Sequence, residues 1–403
     1  MTEVRPGLLR GPVGRLATAL LLVAGTVTWR RGQYFSGSVD PVVAGKAAVV
    51  LLALALAVLA AASGPRRPLG TGTLWILAAV LVASVFGAHT SGTLATGGVV
   101  AARVALVGLA VAAMLRSATG EEVVTALARA CGVVALTAAA TGLPSAAGGR
   151  LTGGLPPLSP NELALLAGIV VLVAGWQVVL GTSGAVDALV AAGGLAIVWA
   201  TGSRTGLLMV LIGLAVLAVH VRRPPFPLVV GGLVLAAAGA VAALATGALT
   251  AFASRDGAGT STLESRYIAW DAARTWAGTG WQQVFGGGLS VKVIRVEGQW
   301  WDEQPLDSSW VSALVQGGIL GIVLLAGWVL WVLRGTLRAP HAHRALFLGL
   351  LAFLLGRSVV ESGLFDATPA FLCLMAVSLL AEGGSRPRLR QESAAPELDG
   401  AAR

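Results

Sequence analysis

The sequence predicts an all-α polytopic membrane protein of about twelve transmembrane helices, with one long extracytoplasmic loop containing short helices. Three observations carry that reading. Of 403 residues, 56% are apolar and 12% charged, with a mean hydropathy of +0.82, whereas soluble domains carry roughly twice that charged fraction. The apolar residues fall in runs of about 20, the length that crosses about 30 Å of hydrocarbon. Arginines gather between alternate runs, as topology requires. With 28 basic and 19 acidic side chains the chain cannot coat itself for water, so its solvent is largely lipid. The 54 glycines follow no three-residue period and no heptads persist, which excludes collagen and coiled coil.

The first run, 12–29, follows Arg5, Arg10 and Arg15 in the manner of a signal peptide. Because many similar segments follow, it is read as an uncleaved first span. Runs at 42–63, 69–88, 94–115, 121–142, 160–180, 184–201, 204–221 and 226–250 supply spans two to nine. The last three are 309–333, 341–361 and 366–382, and the seventh and twelfth are short. A cytoplasmic N-terminus puts Arg66, Arg67, Arg116, Arg222, Arg223, Arg334, Arg338, Arg344, Arg386, Arg388 and Arg390 on the cytoplasmic side, along with the C-terminus. The formal charge of +9 and pI near 11.0 thus report topology, not a nucleic-acid-binding face. Cys131 and Cys373 lie inside apolar runs as small hydrophobes, with no disulfide or thiolate metal site implied.

The organisation expected is spans one to nine in 1–250, an extracytoplasmic loop at 251–308, spans ten to twelve in 309–382, and a charged, disordered cytoplasmic tail at 383–403. The loop carries Arg255, Arg266, Arg274, Lys292 and Arg295 against seven carboxylates, with Trp270, Trp276, Trp281, Trp300 and Trp301. Such length and aromatic content point to function rather than disorder. Ser261 and Glu264 form a capping-box pattern that would start a helix through TLESRYIAWDAARTW, bringing Arg266, Trp270 and Arg274 to one side. No duplicated halves are visible.

Several residues have both a chemical and a structural reading. Arg204, in TGSRTGLL, opposes the helix dipole at the start of the eighth span. Free N–H groups plus a guanidinium make a diphosphate site there; the plain alternative is snorkelling to headgroups. Arg266 and Arg274 share those readings, and Tyr267 and Trp270 are placed to clamp a sugar beside Arg266. In GRLTGGLPPLSPNELALL, Ser159, Pro160 and Glu162 form a helix start, with Glu162 expected to reach back to the cap. Asn161 and Arg150 remain as substrate contacts. Asp307, in PLDSSW, either caps the tenth span or accepts a hydroxyl proton. Arg357 and Glu361, four apart, are expected to pair with each other and to border the cavity. No metal site is predicted: HxH at His341 and His343 is a weak signal. D-x-D, P-loop and GxSxG patterns are absent.

The order GGRLTG, SPNELALL, TGSRTGLL, ESRYIAWDAARTW with VFGGGLS in a long outer loop, then DSSWVSALVQGGILG, resembles the O-antigen ligase and O-antigen polymerase superfamily of bacterial membrane glycosyltransferases, over roughly 145–330. The resemblance implies a GT-C-like helical fold in the bacterial cytoplasmic membrane, with its site on the outer face. The substrate implied is a polyprenyl-diphosphate-linked glycan, with the lipid bilayer, a flippase and a chain-length regulator as partners, no cofactor and no nucleic acid. It also implies metal-independent, inverting transfer, with Arg204 and Arg266 holding the leaving diphosphate and Arg274 less securely placed. Such ligases place a histidine where Asp307 stands, so this chain fits polymerase-like chemistry better than transfer to a lipid A core. The base stays open: Asp307, Glu303, Asp302, Asp271 or none of these. A twelve-span secondary transporter is the alternative.

Overall fold

The computed structural model describes residues 8–30, 41–180, 185–220, 259–296 and 303–385, plus 387, 389 and 391, with the backbone alone for 259–265. The expected ninth span, 226–250, lies outside them, as do Arg255, Asp302, Trp300 and Trp301.

Eight helices precede the gap: α1 (Pro12–Thr26), α2 (Pro41–Ala62), α3 (Gly72–Thr90), α4 (Leu94–Ser117), α5 (Gly120–Gly142), α6 (Pro160–Leu180), α7 (Ala185–Ala200) and α8 (Arg204–Val219). A 3₁₀ turn, Leu143–Gly148, extends α5. After the gap come α9 (Gly259–Arg274), α10 (Gly280–Phe285), the strands β1 (Val293–Arg295) and β2 (Glu303–Pro305), and α11 (Ser309–Leu337), α12 (His341–Ser358) and α13 (Pro369–Ala381).

Side-chain oxygens and prolines set the starts. Thr119 and Glu122 form a reciprocal capping box at α5. Ser203, Ser308 and Thr368 accept from the backbone at the heads of α8, α11 and α13. Prolines open α1 and α13, where the missing N–H costs nothing.

Among the described residues six helices are long and apolar enough to cross a membrane: α2, α3, α4, α5 with its 3₁₀ extension, α6 and α11. The sequence count of twelve is larger by six: α1, α7, α8 and α13 are apolar but only 10–17 residues long, α12 with its two arginines and two histidines is not among the apolar candidates, and the expected ninth span lies outside the described residues. Helix α13 has 13 residues, about 20 Å of rise, and every one is buried. It stands in the middle, touching α3, α4, α5, α6, α11 and α12. On α2, by contrast, Leu51, Leu52, Val58 and Leu59 face outward, the pattern of a helix solvated by lipid.

Polar contacts cluster at the two ends of the bundle. At one end Arg15 pairs with Glu122 at 2.8 Å, Arg67 N–H donates to Arg116 O, and Glu382 accepts from Thr73 N–H at 3.0 Å. The other end holds the loop segment. The tail departs from expectation: Ser385 and Leu389 are each 0% exposed, and Ser385 bonds Gly70 N–H and Leu379 O, so the residues just after Gly383 pack on the helices.

Between α8 and α11 the described residues form α9, α10 and an antiparallel strand pair with Ile294 opposite Gln304. The anchor of this segment is a pair of glycine runs. Gly318 adopts φ +62° inside α11 and breaks the helical ladder, freeing the carbonyls of Val315 and Gln316. Gly287 and Gly288 N–H groups take those carbonyls at 2.9 Å each. A Cβ on Gly318 would sit 2.5 Å from Val284 backbone, and one on Gly286 2.4 Å from Gln316 backbone. The VFGGGLS and VQGGILG segments therefore dock backbone to backbone, which only glycine permits.

Candidate functional site

Helix α9 begins at Gly259, two residues ahead of Ser261, so Ser261 lies in the first turn rather than before it. Ala269 and Ala273 pack against Ile294, Leu306 and Val315. These small side chains let α9 lie close to the hairpin and to the head of α11, which aims Arg266 at that junction. Arg266 is 19% exposed; its Nε is 3.7 Å from Asp307 Oδ2 and its Nη2 is 3.3 Å from Glu361 Oε1.

The cap of α11 is Ser308, whose Oγ accepts from Val311 N–H. Asp307 is thereby relieved of the capping role the sequence allowed it. Ser309 Oγ donates to Glu361 O at 2.8 Å and accepts from Leu364 N–H, while Trp310 Nε1 donates to Ser358 Oγ. The DSSW segment thus splits its work: the aspartate faces Arg266, and the next three residues cap the helix and pin the loop after α12.

Glu361 and Arg357 do not pair directly. Asn161 stands between them: its Nδ2 donates to Glu361 Oε1 at 2.6 Å and its carbonyl accepts from Arg357 Nη2 at 2.9 Å. The fourth residue on from Arg357 falls beyond the end of α12, so the loop turns Glu361 toward α9. Arg357 Nη1 is buried with no hydrogen-bond partner. Arg150 donates to Thr201 O at 3.2 Å and lies close enough to act on Glu361.

Burial pushes the Asp307 carboxyl up against the opposing pull of Arg266. It pushes Glu361 up too, opposed by Arg357 and Arg266, with the Asp307 charge adding to the rise. Asp307 is thus a stronger base than an ordinary aspartate.

Arg204 is exposed at the start of α8, behind the Ser203 cap; Arg357, Arg266 and Arg150 act on Glu361, and Arg266 on Asp307. Arg274 pairs with Asp271 at 3.9 Å, the two being 79% and 85% exposed. Two four-residue steps turn it about 80° past Arg266, because the helix repeats at 3.6. Tyr267, 65% exposed, packs edge-on to Trp270 at 5.5 Å, and Trp270 Nε1 is buried without a partner. Glu162 reaches back to the cap as expected, its carboxylate feeling the Ser159 backbone N–H while Ser159 Oγ accepts from Glu162 N–H; the same carboxylate also accepts from Thr28 N–H at 2.8 Å, just past the end of α1.

That carboxylate belongs to a second polar cluster. Lys292 and Asp366 pair at 2.5 Å. Burial alone would raise Asp366, but Lys292 and Arg103 hold it below the ordinary carboxylate range. Arg103 donates through Nη2 to Gly25 O and Ala367 O, and Lys46 feels the charges of Arg103, Glu162 and Asp366. Lone cations inside long apolar runs were the available signal for Lys46 and Arg103. Lys292 and Asp366 offered none, since their pairing depends on how the loop folds.

Among the described residues no three His, Cys, Asp or Glu side chains are grouped to hold a metal ion. Fold and site together define a helical, lipid-solvated protein with a guanidinium–carboxylate centre at one end of its bundle. No protein-family model and no curated protein matches the chain.

Proposed function

We propose that the protein is a membrane glycosyltransferase that joins polyprenyl-diphosphate-linked saccharides on the outer face of a bacterial cytoplasmic membrane, with both termini cytoplasmic. In this reading it acts as a polymerase rather than a lipid A-core ligase. The observation that carries the reading is Asp307, freed from capping by Ser308 and held 3.7 Å from the Arg266 guanidinium. A base and an anion-stabilising group adjoin in one half-buried place, as transfer from a diphosphate requires.

An acceptor hydroxyl attacks the anomeric carbon from the side opposite the diphosphate, and its proton passes to Asp307. The C–O bond to the diphosphate breaks, its electron pair leaves with the prenyl diphosphate, and configuration inverts. Arg266, with Arg204 and Arg150 at the same end of the bundle, neutralises the growing charge. Asn161 and Glu361 orient sugar hydroxyls, and Tyr267 and Trp270 offer an aromatic flap. The twelve-span membrane topology belongs to this reading as well.

The test is incubation of purified protein with a lipid-linked repeat unit, with products resolved on a gel. A ladder is expected. One shifted acceptor band would mark a ligase, and substrate uptake into proteoliposomes without any product would mark a transporter.

A further inference from the structure

The two clusters share their walls. The first turn of α6 gives Asn161 to the Arg266 centre and Glu162 to the second cluster. The loop after α12 gives Glu361 to one and Asp366 to the other. The chain between α8 and α11 supplies Arg266 and Asp307 to the first and Lys292 to the second.

The second cluster has cations to spare. Three cations, Lys46, Arg103 and Lys292, share two carboxylates: Asp366 is closed by Lys292 at 2.5 Å and also feels Arg103, while Lys46 feels Glu162 and Asp366 at longer range. The Glu162 carboxylate already accepts from Thr28 N–H. Lys46 has no hydrogen bond or ion pair among the described residues, its ammonium lying 6.0 Å from the Trp29 ring. Arg103 Nε is buried with no acceptor. An ammonium with no carboxylate in contact beside an unsatisfied guanidinium N–H is costly where water is scarce, unless an anion comes to it. Arg103 turns toward the end of α1 and the head of α13, reaching the carbonyls of Gly25 and Ala367, and Lys46 stands close enough to feel its charge.

We propose that Lys46 and Arg103 form a second oxyanion site, which takes the diphosphate of a second lipid-linked saccharide, the acceptor. This rests on the glycosyl-transfer reading. A polymerase must hold two anionic headgroups side by side, and the shared first turn of α6 separates the two cradles by a single residue step.

Radiolabelled inorganic diphosphate binding to the purified full-length protein in detergent tests it. Two ions per chain are expected for the wild type. Lys46→Gln should lose one, with at least a tenfold rise in its dissociation constant, and Lys46→Arg should restore it. Lys46 anchors no backbone, so the Gln variant should keep the wild-type melting temperature. Arg266→Ala should lose the other ion. In turnover, Lys46→Gln should raise the KM for acceptor about tenfold and leave the KM for donor unchanged. Unaltered stoichiometry in Lys46→Gln overturns the inference and leaves the Arg266 centre standing. Loss in Lys46→Gln with none in Arg266→Ala overturns the proposed centre instead. Displacement of the Lys46-dependent ion by phosphatidylglycerol bicelles, but not by a prenyl diphosphate, would mark a structural-lipid site and overturn the acceptor assignment.

Discussion

Replacing Asp307 by Asn separates the two roles that the DSSW segment permits. The amide keeps the size of the side chain and leaves Ser308 to cap α11, so the fold should persist. Arg266 retains Glu361 at 3.3 Å and loses only a 3.7 Å contact to a carboxylate that is 39% exposed. Such a half-exposed pair is worth roughly 1 kcal/mol or less. A general base, by comparison, contributes typically 10²–10⁴ in rate, about 3–5 kcal/mol of barrier. Turnover should therefore fall about 100-fold or more with little change in melting temperature. Ser308→Ala should do the reverse, costing about 1 kcal/mol of stability and little rate per folded molecule. The pH profile gives an independent reading. Asp307 acts when deprotonated, and burial raises its proton affinity, so the rate should climb with pH through a range above that of ordinary carboxylates and then level. Unfolding by this group cannot produce that limb. A carboxyl raised in the folded state adds stability that is fully present below its unfolded pKa and is lost as pH rises through its folded one. Asp307 and Glu361 both act in that sense, whereas depressed Asp366 loses its contribution as pH falls through its folded value. Initial rates of ladder formation between pH 4 and 8, with circular dichroism alongside, measure both effects. An Asn variant with more than about a tenth of wild-type rate, or one that keeps the acid limb, would refute the assignment of the base.

Arg266→Gln should lower turnover by about 10²–10³, the usual effect of removing a donor to developing negative charge. Arg274→Gln should stay within about twofold, since its exposed contact with Asp271 contributes almost nothing; rates from the same gel assay decide both. Gly288→Ala should destabilise the protein by about 2 kcal/mol or more, because φ is +89° there and the new methyl would lie 2.5 Å from Ala88 Cβ. Thermal unfolding in detergent measures it, and an unchanged midpoint would discredit the glycine docking. Lys292→Met strands the Asp366 carboxylate beside Arg103 alone. A loss of about 2 kcal/mol is expected, below the usual cost of breaking a buried pair because the two groups are 18% and 26% exposed, and chemical denaturation would show it.

Apolar runs fixed most helices to within a few residues, because burial in lipid demands continuous apolar length whatever the tertiary contacts. They leave α13 open, where 13 apolar residues lie wholly buried among other helices, since composition cannot tell a buried half-helix from a short span. Asp307, Glu361 and Asn161 were legible as polar groups standing where apolar runs begin or end, and Arg266 as a basic residue beside aromatics in the long loop. Which of them touch was not: Asn161 and Glu361 are 200 positions apart, and their 2.6 Å contact depends on α6 and α12 packing in register. Periodicity misled at Arg274 because two steps of four residues drift away from the face that holds Arg266. The serines of DSSW left open whether Asp307 or Ser308 caps α11, and only backbone geometry resolves such a choice.

The contact lengths indicate which cation is available to a ligand. Lys292 and Asp366, at 2.5 Å, and Asn161 and Glu361, at 2.6 Å, are closed pairs. Arg266 sits 3.3 and 3.7 Å from its two carboxylates, beyond the roughly 2.7–2.9 Å of a tight charged hydrogen bond. It is oriented by them without being saturated. Glu361, already supplied by Asn161 and with its proton affinity raised by burial, loses little when an oxyanion takes over the guanidinium. In the proposed reaction Asp307 would then stand beside a neutralised diphosphate rather than a bare cation, which would raise its basicity further when the acceptor proton must be taken. In the proposed transfer, one arginine held loosely between two unequal carboxylates would therefore link leaving-group binding to activation of the base, a coupling that a tight Arg266–Asp307 pair would abolish.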